Sequence, residues 1–223
     1  MDCISVENMR LSDAYTIAGF VPSLELMRRA AYGVFLAGEW TGETAIVVGS
    51  GNNGGDGFAL AWILKERGFN CTVFTVSSRM SADSAHYAAL AEDAGVSVLP
   101  FAPGCLAGFD TVVDCLLGTG FQGEVRGNYR TAIEAINASA ARVISVDINS
   151  GMNGDTGEAE LAVRSNLTVT IGFVKQGLVT DQAGKFMDRL VSADIGIRLI
   201  RTEGTITEEN CPPWLDMKIL KAY

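Results

Sequence analysis

The sequence TAIVVGSGNNGGDG, residues 44–57, decides the fold, and FALAWILKERG follows it directly at residues 58–68. Thr44–Val48 is a short apolar run typical of a buried strand, and residues 58–67 carry apolar side chains at helical spacing. Between them, residues 49–57 contain five glycines, two asparagines and one aspartate. A strand that turns through glycines into a helix leaves backbone N–H groups free to bind an anion such as phosphate. The stretch therefore predicts a ligand-binding loop rather than a purely structural turn.

The same loop matches the GxGxxG spacing of dinucleotide-binding domains, but the rest of that fingerprint is incomplete. The next predicted strand, residues 71–76, should be followed by an acidic residue that holds the ribose. Ser77, Ser78 and Arg79 follow it instead. An ordinary nucleotide-dependent oxidoreductase or a methyltransferase on a Rossmann sheet therefore remains an alternative, and the missing acid counts against it.

Composition limits the possible functions. The chain has 223 residues, of which 48% are hydrophobic and 19% charged, as expected for a globular protein with a sizeable core. A net charge of −9 disfavours binding to nucleic acid. No apolar run is long enough for a membrane span, and the start does not look like a signal peptide. Five scattered cysteines without CxxC spacing predict reduced thiols in a cytoplasmic protein and no zinc site.

After the glycine-rich loop, strand and helix patterns alternate, which predicts an α/β protein with a mostly parallel sheet and helices on both faces. Ser23 is the predicted N-cap of the second helix, and His86 is predicted to be a surface or packing residue. We predict a single domain over residues 1–200, followed by a C-terminal extension over residues 201–223. The predicted helices are 7–19, 23–37, 58–67, 81–94 and 128–138, and the predicted strands are 44–48, 71–76, 96–99, 109–115, 142–147, 167–171 and 189–197.

Three strand ends share one pattern of an apolar run, a small polar or acidic residue, and glycines. The first is the glycine-rich loop itself. Asp114 ends the strand before the glycine-rich residues 118–124, and Asp147 ends the strand before the turn-rich residues 148–157. The carboxyl ends of parallel strands meet at one edge of a sheet, where ligands bind. Together the three ends predict a functional site at that edge.

Taken in order, the motifs of the chain resemble the YjeF N-terminal domain family, the NAD(P)H-hydrate epimerases. The resemblance covers about residues 5–197. It implies a three-layer α/β/α Rossmann-like sandwich that interconverts the R and S forms of hydrated NADH or NADPH without a redox cofactor. The motifs that carry it are GSGNNGGDG (49–57), VVDCLLGTGFQGEVRG (112–127), VISVDINSGMNGDTGE (143–158), IGFVKQGL (171–178) and ADIGI (193–197).

The resemblance also implies which residues contact the ligands. A potassium ion is expected at Asn53, Asp114 and Ser150, which offer the hard oxygen donors that suit a hard cation. Lys175 is our own candidate for balancing a substrate phosphate, with a solvated surface lysine as the alternative. The expected substrate contacts are Asn52, Asn53, Gly54, Gly55, Asp56, Gly118, Thr119, Gly120, Phe121, Gln122, Gly123, Glu124, Asp147 and Lys175.

A mechanism follows as a hypothesis. The hydrated ring carbon can lose hydroxide to form a planar cation and then be rehydrated on the other face. This needs a proton donor and acceptor, together with negative charge near the cation. Asp56, Asp114 and Asp147 are the candidates, and we expect Asp147 to do the acid–base work.

Two motifs depart from the family pattern. Leu26–Ala31 reads LMRRAA where LMENAG is usual, which puts helix packing or a substrate contact in doubt. Residues 147–151 read DINSG where DIPSG is usual, which predicts a looser frame around the site. If Arg79 faces the ribose, it would favour the 2′-phosphate of the NADPH form.

Other functions stay open. The chain could be a non-catalytic nucleotide-binding or scaffold module of the same fold, an alternative that the altered LMRRAA stretch keeps alive. It could also be a subunit that acts only with a separate ADP- or ATP-dependent dehydratase. The resemblance further suggests a homodimer formed through the N-terminal helices.

Overall fold

The computed structural model describes residues 1–223, which form five α-helices and two β-sheets. The helices are α1 Val6–Gly19, α2 Ser23–Ala37, α3 Asn52–Glu66, α4 Ala82–Asp93 and α5 Gly127–Ala138. The strands are β1 Asp2–Ile4, β2 Glu43–Val48, β3 Asn70–Thr75, β4 Ser97–Pro100, β5 Thr111–Cys115, β6 Arg142–Val146, β7 Leu167–Ile171, β8 Val174–Lys175, β9 Leu190–Asp194, β10 Gly204–Thr205 and β11 Leu215–Lys221.

The main sheet has eight parallel strands in the order β11-β9-β7-β6-β5-β2-β3-β4. The order in which strands are added reverses between β2 and β5. Strands β3 and β4 extend the sheet on one side of β2, and the later strands extend it on the other side. In open parallel sheets, ligands bind at the carboxyl ends of strands where such a reversal occurs. At this point the N–H of Gly49 donates to the carbonyl of Cys115 at 3.0 Å.

Both faces of the sheet are covered by helices. Ile46 and Val48 pack into the larger core with α2, α3 and α4, whereas Ala45 and Val47 face α5 on the other side. This alternation follows from the two-residue period of a strand, and burial on both faces accounts for the continuous apolar run of β2. The predicted α/β/α sandwich is therefore confirmed.

Helix α3 begins at Asn52, so the prediction that the helix begins at residue 58 is wrong. A Cβ atom added to Gly54 would lie 2.2 Å from the carbonyl oxygen of Gly49, and one added to Gly57 would lie 2.7 Å from Val48 Cγ1. Glycine lowers helix propensity, but here it lets the first helical turns lie directly against the end of β2. Most of the predicted loop is thus the start of a helix.

Serine residues lie at the start of both α4 and α2, but only one of them caps its helix. Ser81 caps α4, since its side chain accepts from the N–H of Ser84, as Ser residues at N-caps do. The N-cap of α2 is Pro22, and Ser23 is already the first helical residue, so that prediction is wrong by one position. His86 is exposed on α4.

The segment beyond residue 200 is part of the sheets. Strand β11 pairs in parallel with β9 at the edge of the main sheet, and β10 pairs with β1. The predicted boundary at residue 200 therefore does not separate the last strand from the sheet. The small sheet has the order β10-β1-β8 and includes Lys175 in its last strand. None of the helices is long and apolar enough to cross a lipid bilayer.

Candidate active site

A cavity of about 670 Å³ opens where the strand order reverses. This volume lies in the range of small-molecule and cofactor pockets. Most of its walls are formed by one face of α1, one face of α2, the first turns of α3, the loop after β5, and the ends of β6 and β7. The three strand ends singled out in the sequence thus meet around one space.

Helix α3 presents an uncapped N-terminus to this cavity. Gly51 is its N-cap and offers no side-chain hydrogen bond, and Ser50, Gly51, Asn52 and Asn53 all line the space. The unpaired N–H groups and the positive end of the helix dipole favour a negatively charged group. This end of the cavity suits a phosphate.

Asp114 lies fully buried behind the cavity wall, at the end of β5. Its carboxylate accepts hydrogen bonds from the Ser150 hydroxyl, the Ser150 N–H at 2.9 Å and the Ser145 hydroxyl at 2.9 Å. The Leu116 N–H, at 3.2 Å, is the fourth donor. Burial raises the pKa of Asp114, and the hydrogen bonds oppose that rise. The carboxylate is saturated by neutral donors, and no cationic side chain accompanies it.

Asp147 has a different environment, although it follows the neighbouring strand β6. It is the only non-glycine residue of the chain with a positive φ, 69°. Such a backbone conformation is costly for a residue with a Cβ and is often kept at functional sites. The Lys175 ammonium donates to Asp147 Oδ1, and the Ile171 N–H lies 3.4 Å from the same oxygen. The other oxygen faces the loop at Gly118.

Lys175 is buried, with 1% of its side chain exposed. Besides Asp147, its ammonium donates to the Thr170 hydroxyl at 3.1 Å and to the Ile171 carbonyl at 2.6 Å. All three N–H donors of a lysine are therefore in use. Burial excludes the solvated surface position considered from the sequence, whereas the substrate contact of Lys175 stays a prediction.

Asn53 is the one residue whose buried side-chain atoms lack a hydrogen-bond partner, and this holds for both its oxygen and its nitrogen. A buried amide without partners is costly, so native proteins rarely keep one without a reason. Gly118 lies between Asn53 and Asp147: a Cβ added to it would be 3.3 Å from Asn53 Cβ and 3.4 Å from Asp147 Oδ2. The unpaired amide of Asn53 and the carboxylate of Asp147, whose backbone is left-handed, thus both lie next to Gly118.

The predicted potassium ligands are joined through the same loop. Ser150 holds both Asp114 and the backbone of Leu117, since its hydroxyl accepts from the Leu117 N–H at 2.8 Å. The next residue, Gly118, packs against Asn53. The unpaired oxygen of Asn53 and the buried carboxyl group of Asp114, which has no cationic partner, fit a monovalent cation. The Asp114 carboxyl group also accepts four hydrogen bonds from the protein.

Two more carboxylates reach the cavity, Asp13 from α1 and Asp56 from α3. Neither makes a hydrogen bond within the chain. Burial raises the pKa of Asp56 well above its usual value, and the charges of Asp147 and Asp13 raise it further. Burial and then the charge of Asp147 also raise the pKa of Asp13. These two groups retain their protons more readily than a surface aspartate does.

Most of the predicted substrate contacts line this cavity or a neighbouring one, and three do not. Residues 118–122 line the cavity, as do Asn52, Asn53, Asp56, Asp147 and Lys175, and Gly123 lines a neighbouring cavity of about 680 Å³. Gly54 and Gly55 lie inside the protein against Gly49 and Met27. Glu124 is exposed and paired with Arg126. The structure does not bring these last three residues to the cavity.

The altered LMRRAA stretch turns its arginines away from the cavity. Arg28 pairs with Glu25, and Arg29 bonds both Glu25 and the carbonyl of Ile195. The cavity face of α2 is formed by Ser23, Leu26, Met27 and Ala30. The two arginines therefore do not contact the cavity, and Ala31, at the usual glycine position, is buried in the core. Arg79 is exposed and also does not line the cavity.

The expected looser frame in residues 147–151 is wrong. Asn149, where proline is usual, is fully buried, and its amide N–H groups donate to the carbonyls of Val163 and Phe186 and to the Ser165 hydroxyl. Its oxygen accepts from the Thr168 hydroxyl at 2.7 Å. Side-chain hydrogen bonds thus replace the rigidity of a proline ring.

Sequence reasoning missed Asp13 and Arg10. Both lie on the face of α1 that lines the cavity, together with Val6, Met9 and Ile17. These positions recur every three to four residues, so a helical projection of residues 6–19 would have grouped them. That projection shows which residues share a face, but the sequence does not show what the face covers.

Comparison with known proteins gives consistent results. A family model described as YjeF-related protein N-terminus matches residues 23–177. The NAD(P)H-hydrate epimerase of Limosilactobacillus fermentum is 38% identical over 199 residues, which cover 86% of this chain and 95% of that protein. The bifunctional NAD(P)H-hydrate repair enzyme Nnr of Coxiella burnetii is 35% identical over 87% of this chain, which spans 41% of that longer enzyme. The crystal structure of the yeast protein ynu0 superimposes with a TM-score of 0.75 at 20% identity, over 92% of this chain and 98% of that one, and supports the fold.

Proposed function

Because this chain belongs to the YjeF-related protein N-terminus family, we propose that it is an NAD(P)H-hydrate epimerase. The enzyme interconverts the R and S forms of hydrated NADH or NADPH, a step in the repair of damaged nicotinamide nucleotides. The observation that carries the proposal is the cavity at the strand reversal. There, Asp147 in a strained backbone and the unpaired amide of Asn53 meet at Gly118.

The cavity offers both kinds of contact that such a substrate needs. The N-terminus of α3 and the Gly118–Gln122 loop supply backbone N–H groups for the diphosphate. The carboxyl groups of Asp13, Asp56 and Asp147 surround the deeper part, and Lys175 is paired with Asp147 there. A planar ring cation formed by loss of hydroxide would be stabilised there. We therefore place the hydrated nicotinamide ring beside Asp147 and the diphosphate near Asn52.

Asp147 is the proposed catalytic group. It would protonate the departing hydroxyl or accept a proton from the incoming water, and its charge would stabilise the ring cation between these steps. Lys175 and the left-handed backbone fix the position of its carboxylate. Asp114 has no such role in this proposal, because its carboxylate is buried behind the wall and holds the loop through Ser150.

A potassium ion is proposed at Asn53, Asp114 and Ser150. The support is the unpaired oxygen of Asn53 and the buried Asp114 carboxyl group, which has no cationic side chain beside it. When bound, the ion would supply a fixed positive charge close to the substrate-binding loop. Asn53 and Ser150 would then hold the ion and the loop together.

The non-catalytic scaffold function is the less favoured alternative. The two arginines of the LMRRAA stretch that motivated it do not line the cavity, and the cavity keeps its carboxylates. A homodimer formed through the N-terminal helices, a cytoplasmic location and cooperation with a separate ADP- or ATP-dependent dehydratase are further proposals that the family resemblance supports.

The proposed function is tested with one purified epimer of hydrated NADH. Its conversion to the other epimer is followed by NMR or chiral chromatography, with the spontaneous rate as the reference. We expect strong acceleration by the native chain and a loss of about 100-fold or more in Asp147→Asn, the range typical of an acid–base group. Tight binding of the nucleotide without acceleration would overturn the epimerase proposal in favour of the scaffold.

A further inference from the structure

Asp13 is a cavity carboxylate to which no role has yet been assigned. It projects from α1, two turns after Val6, and lines the same space as Asp147. Asp147 belongs to the end of the sheet, whereas Asp13 belongs to the helix that covers the cavity. The two carboxylates thus approach the space from two different walls.

Asp13 also has no structural task that would explain its position. Its carboxylate accepts no hydrogen bond and forms no ion pair, in contrast to Asp114, which accepts four hydrogen bonds, and Asp147, which is paired with Lys175. A partly buried carboxylate without partners costs stability. Such a group is kept where its chemistry is used.

Epimerisation makes a demand that one acid–base group does not meet. The hydroxyl leaves from one face of the ring, and water must add to the other face. A proton must therefore be delivered on one side and removed on the other, while a carboxylate reaches only atoms within hydrogen-bond distance. A single group fixed on one side would return water only to the face from which it left.

We propose that Asp13 is a second catalytic acid–base residue, which handles the proton on the face of the hydrated ring that Asp147 does not reach. The proposal rests on the proposed epimerase function. In one direction, protonated Asp13 gives its proton to the departing hydroxyl, the C–O bond breaks, and water leaves with the ring nitrogen lone pair stabilising the cation. A second water then adds to the other face, a new C–O bond forms, and Asp147 takes the released proton.

The balance of this step is simple. One water leaves and one enters, no electrons are exchanged with another molecule, and one proton passes from Asp13 to Asp147. The reverse reaction uses the same groups in exchanged roles, as reversibility requires. Proton exchange with solvent resets the pair.

The electrostatic surroundings support a proton on Asp13. Burial and the charge of Asp147 raise the pKa of Asp13, and Lys175 lowers it by a smaller amount. Asp56 from α3, Asp83 from α4 and Arg10 from α1 line the same cavity, and the charge of Asp13 in turn raises the pKa of Asp56. Asp147 is paired with Lys175, whereas Asp13 has no cationic partner.

The test separates bond breaking from inversion. Each pure epimer is incubated with enzyme in H₂¹⁸O, and ¹⁸O incorporation is measured by mass spectrometry alongside the R-to-S ratio. The native enzyme should incorporate ¹⁸O into both epimers together with inversion. In Asp13→Asn we expect inversion to fall by about 100-fold or more, while one of the two epimers still exchanges its hydroxyl oxygen without inversion.

Two controls keep the result interpretable. Asp93→Asn makes the same carboxylate-to-amide change at an exposed position of α4 outside the cavity and should leave both readouts unchanged. Asp13→Glu retains a carboxylate and should restore part of the inversion. An Asp13→Asn enzyme with native inversion, or one in which exchange and inversion fall equally for both epimers, would overturn the proposal. An inactive native chain would instead contradict the epimerase function itself.

Discussion

Two neighbouring strands, β5 and β6, each deliver an aspartate to the same edge of the sheet, and the two carboxylates have opposite environments. Asp114 is fully buried in ordinary backbone geometry and accepts four hydrogen bonds from neutral donors. Asp147 lies in a left-handed backbone and is paired with one buried lysine, and one of its oxygens faces the cavity. The sequence pattern around both is nearly the same.

One edge of the sheet thus carries a carboxylate that braces the cavity wall, Asp114, and a carboxylate that is open to the cavity, Asp147. Asp114 lies behind the cavity wall and accepts four hydrogen bonds, so it fixes the loops that form the wall. Asp147 is held on one side only, so its other oxygen can meet a substrate. The predictions below test this division.

The largest effect on stability is expected for Asp114→Ala. Removal of the carboxylate leaves the Ser145 and Ser150 hydroxyls and two backbone N–H groups without their acceptor, and each buried unpaired donor costs about 1–3 kcal/mol. We expect the free energy of unfolding in urea to fall by about 3 kcal/mol or more. The exposed Asp188, which accepts from Asn166, provides the control, because its replacement by alanine should cost well under that amount. A loss below about 1 kcal/mol would mean that the bracing of the loop does not depend on Asp114.

An intermediate effect is expected for Asn53→Ala. In native protein, potassium should raise the melting temperature relative to sodium, because an ion that binds only the folded state stabilises it by mass action. The variant should lose this potassium dependence. In potassium-free buffer it should melt no lower than the native protein, because the change removes a buried amide without partners and places a better helix former in α3. An unchanged potassium response in Asn53→Ala would contradict the proposed ion site.

The smallest effect on stability is expected for Gly118→Ala. Its new methyl group would meet Asn53 and the free oxygen of Asp147 at 3.3–3.4 Å, so the neighbours must move by a few tenths of an ångström. We expect a cost of about 1 kcal/mol or less in unfolding free energy, but a several-fold decrease in kcat, since small displacements of a catalytic group are costly. Gly19→Ala, where an added Cβ meets no atom within 4 Å, controls for the change itself. Equal kcat values for both variants would show that the position of Asp147 is not critical.

Much of the fold follows from the sequence alone. Buried parallel strands are short continuous apolar runs, and Leu167–Ile171 is found at its predicted bounds. The start of α3 was misplaced because helix propensity penalises glycine, whereas the actual need at Gly54 and Gly57 is close approach to β2. Strand β11 was missed because an edge strand with exposed Met217 and Lys218 lacks the continuous apolar run of a buried strand.

The site was predictable only in part. Its strand ends carry local signals, so Asp114 and Asp147 could be selected from the sequence, but their different environments depend on Ser150 and Lys175, which are distant in sequence. The side chain of Lys175 is buried because β8 pairs with β1 and brings it to Asp147, and no local pattern encodes that pairing. Asp13 was missed for a similar reason, because only the tertiary fold brings α1 over the cavity.

Helix α1 is attached to the rest of the protein mainly by polar contacts. Its buried face is formed by Asn8, Met9, Ser12 and Thr16, and the Thr16 and Ser12 hydroxyls accept from backbone N–H groups of residues 198 and 200 at 2.9 and 3.2 Å. Each such hydrogen bond contributes about 1 kcal/mol, far less than the apolar packing that fixes α3. Outward movement of α1 would therefore break these hydrogen bonds and withdraw Met9 from the main core, while the other core residues stay in place. In the proposed epimerase, outward movement of α1 would open this side of the cavity to a dinucleotide, and the hydrogen bonds to residues 198–201 oppose that movement.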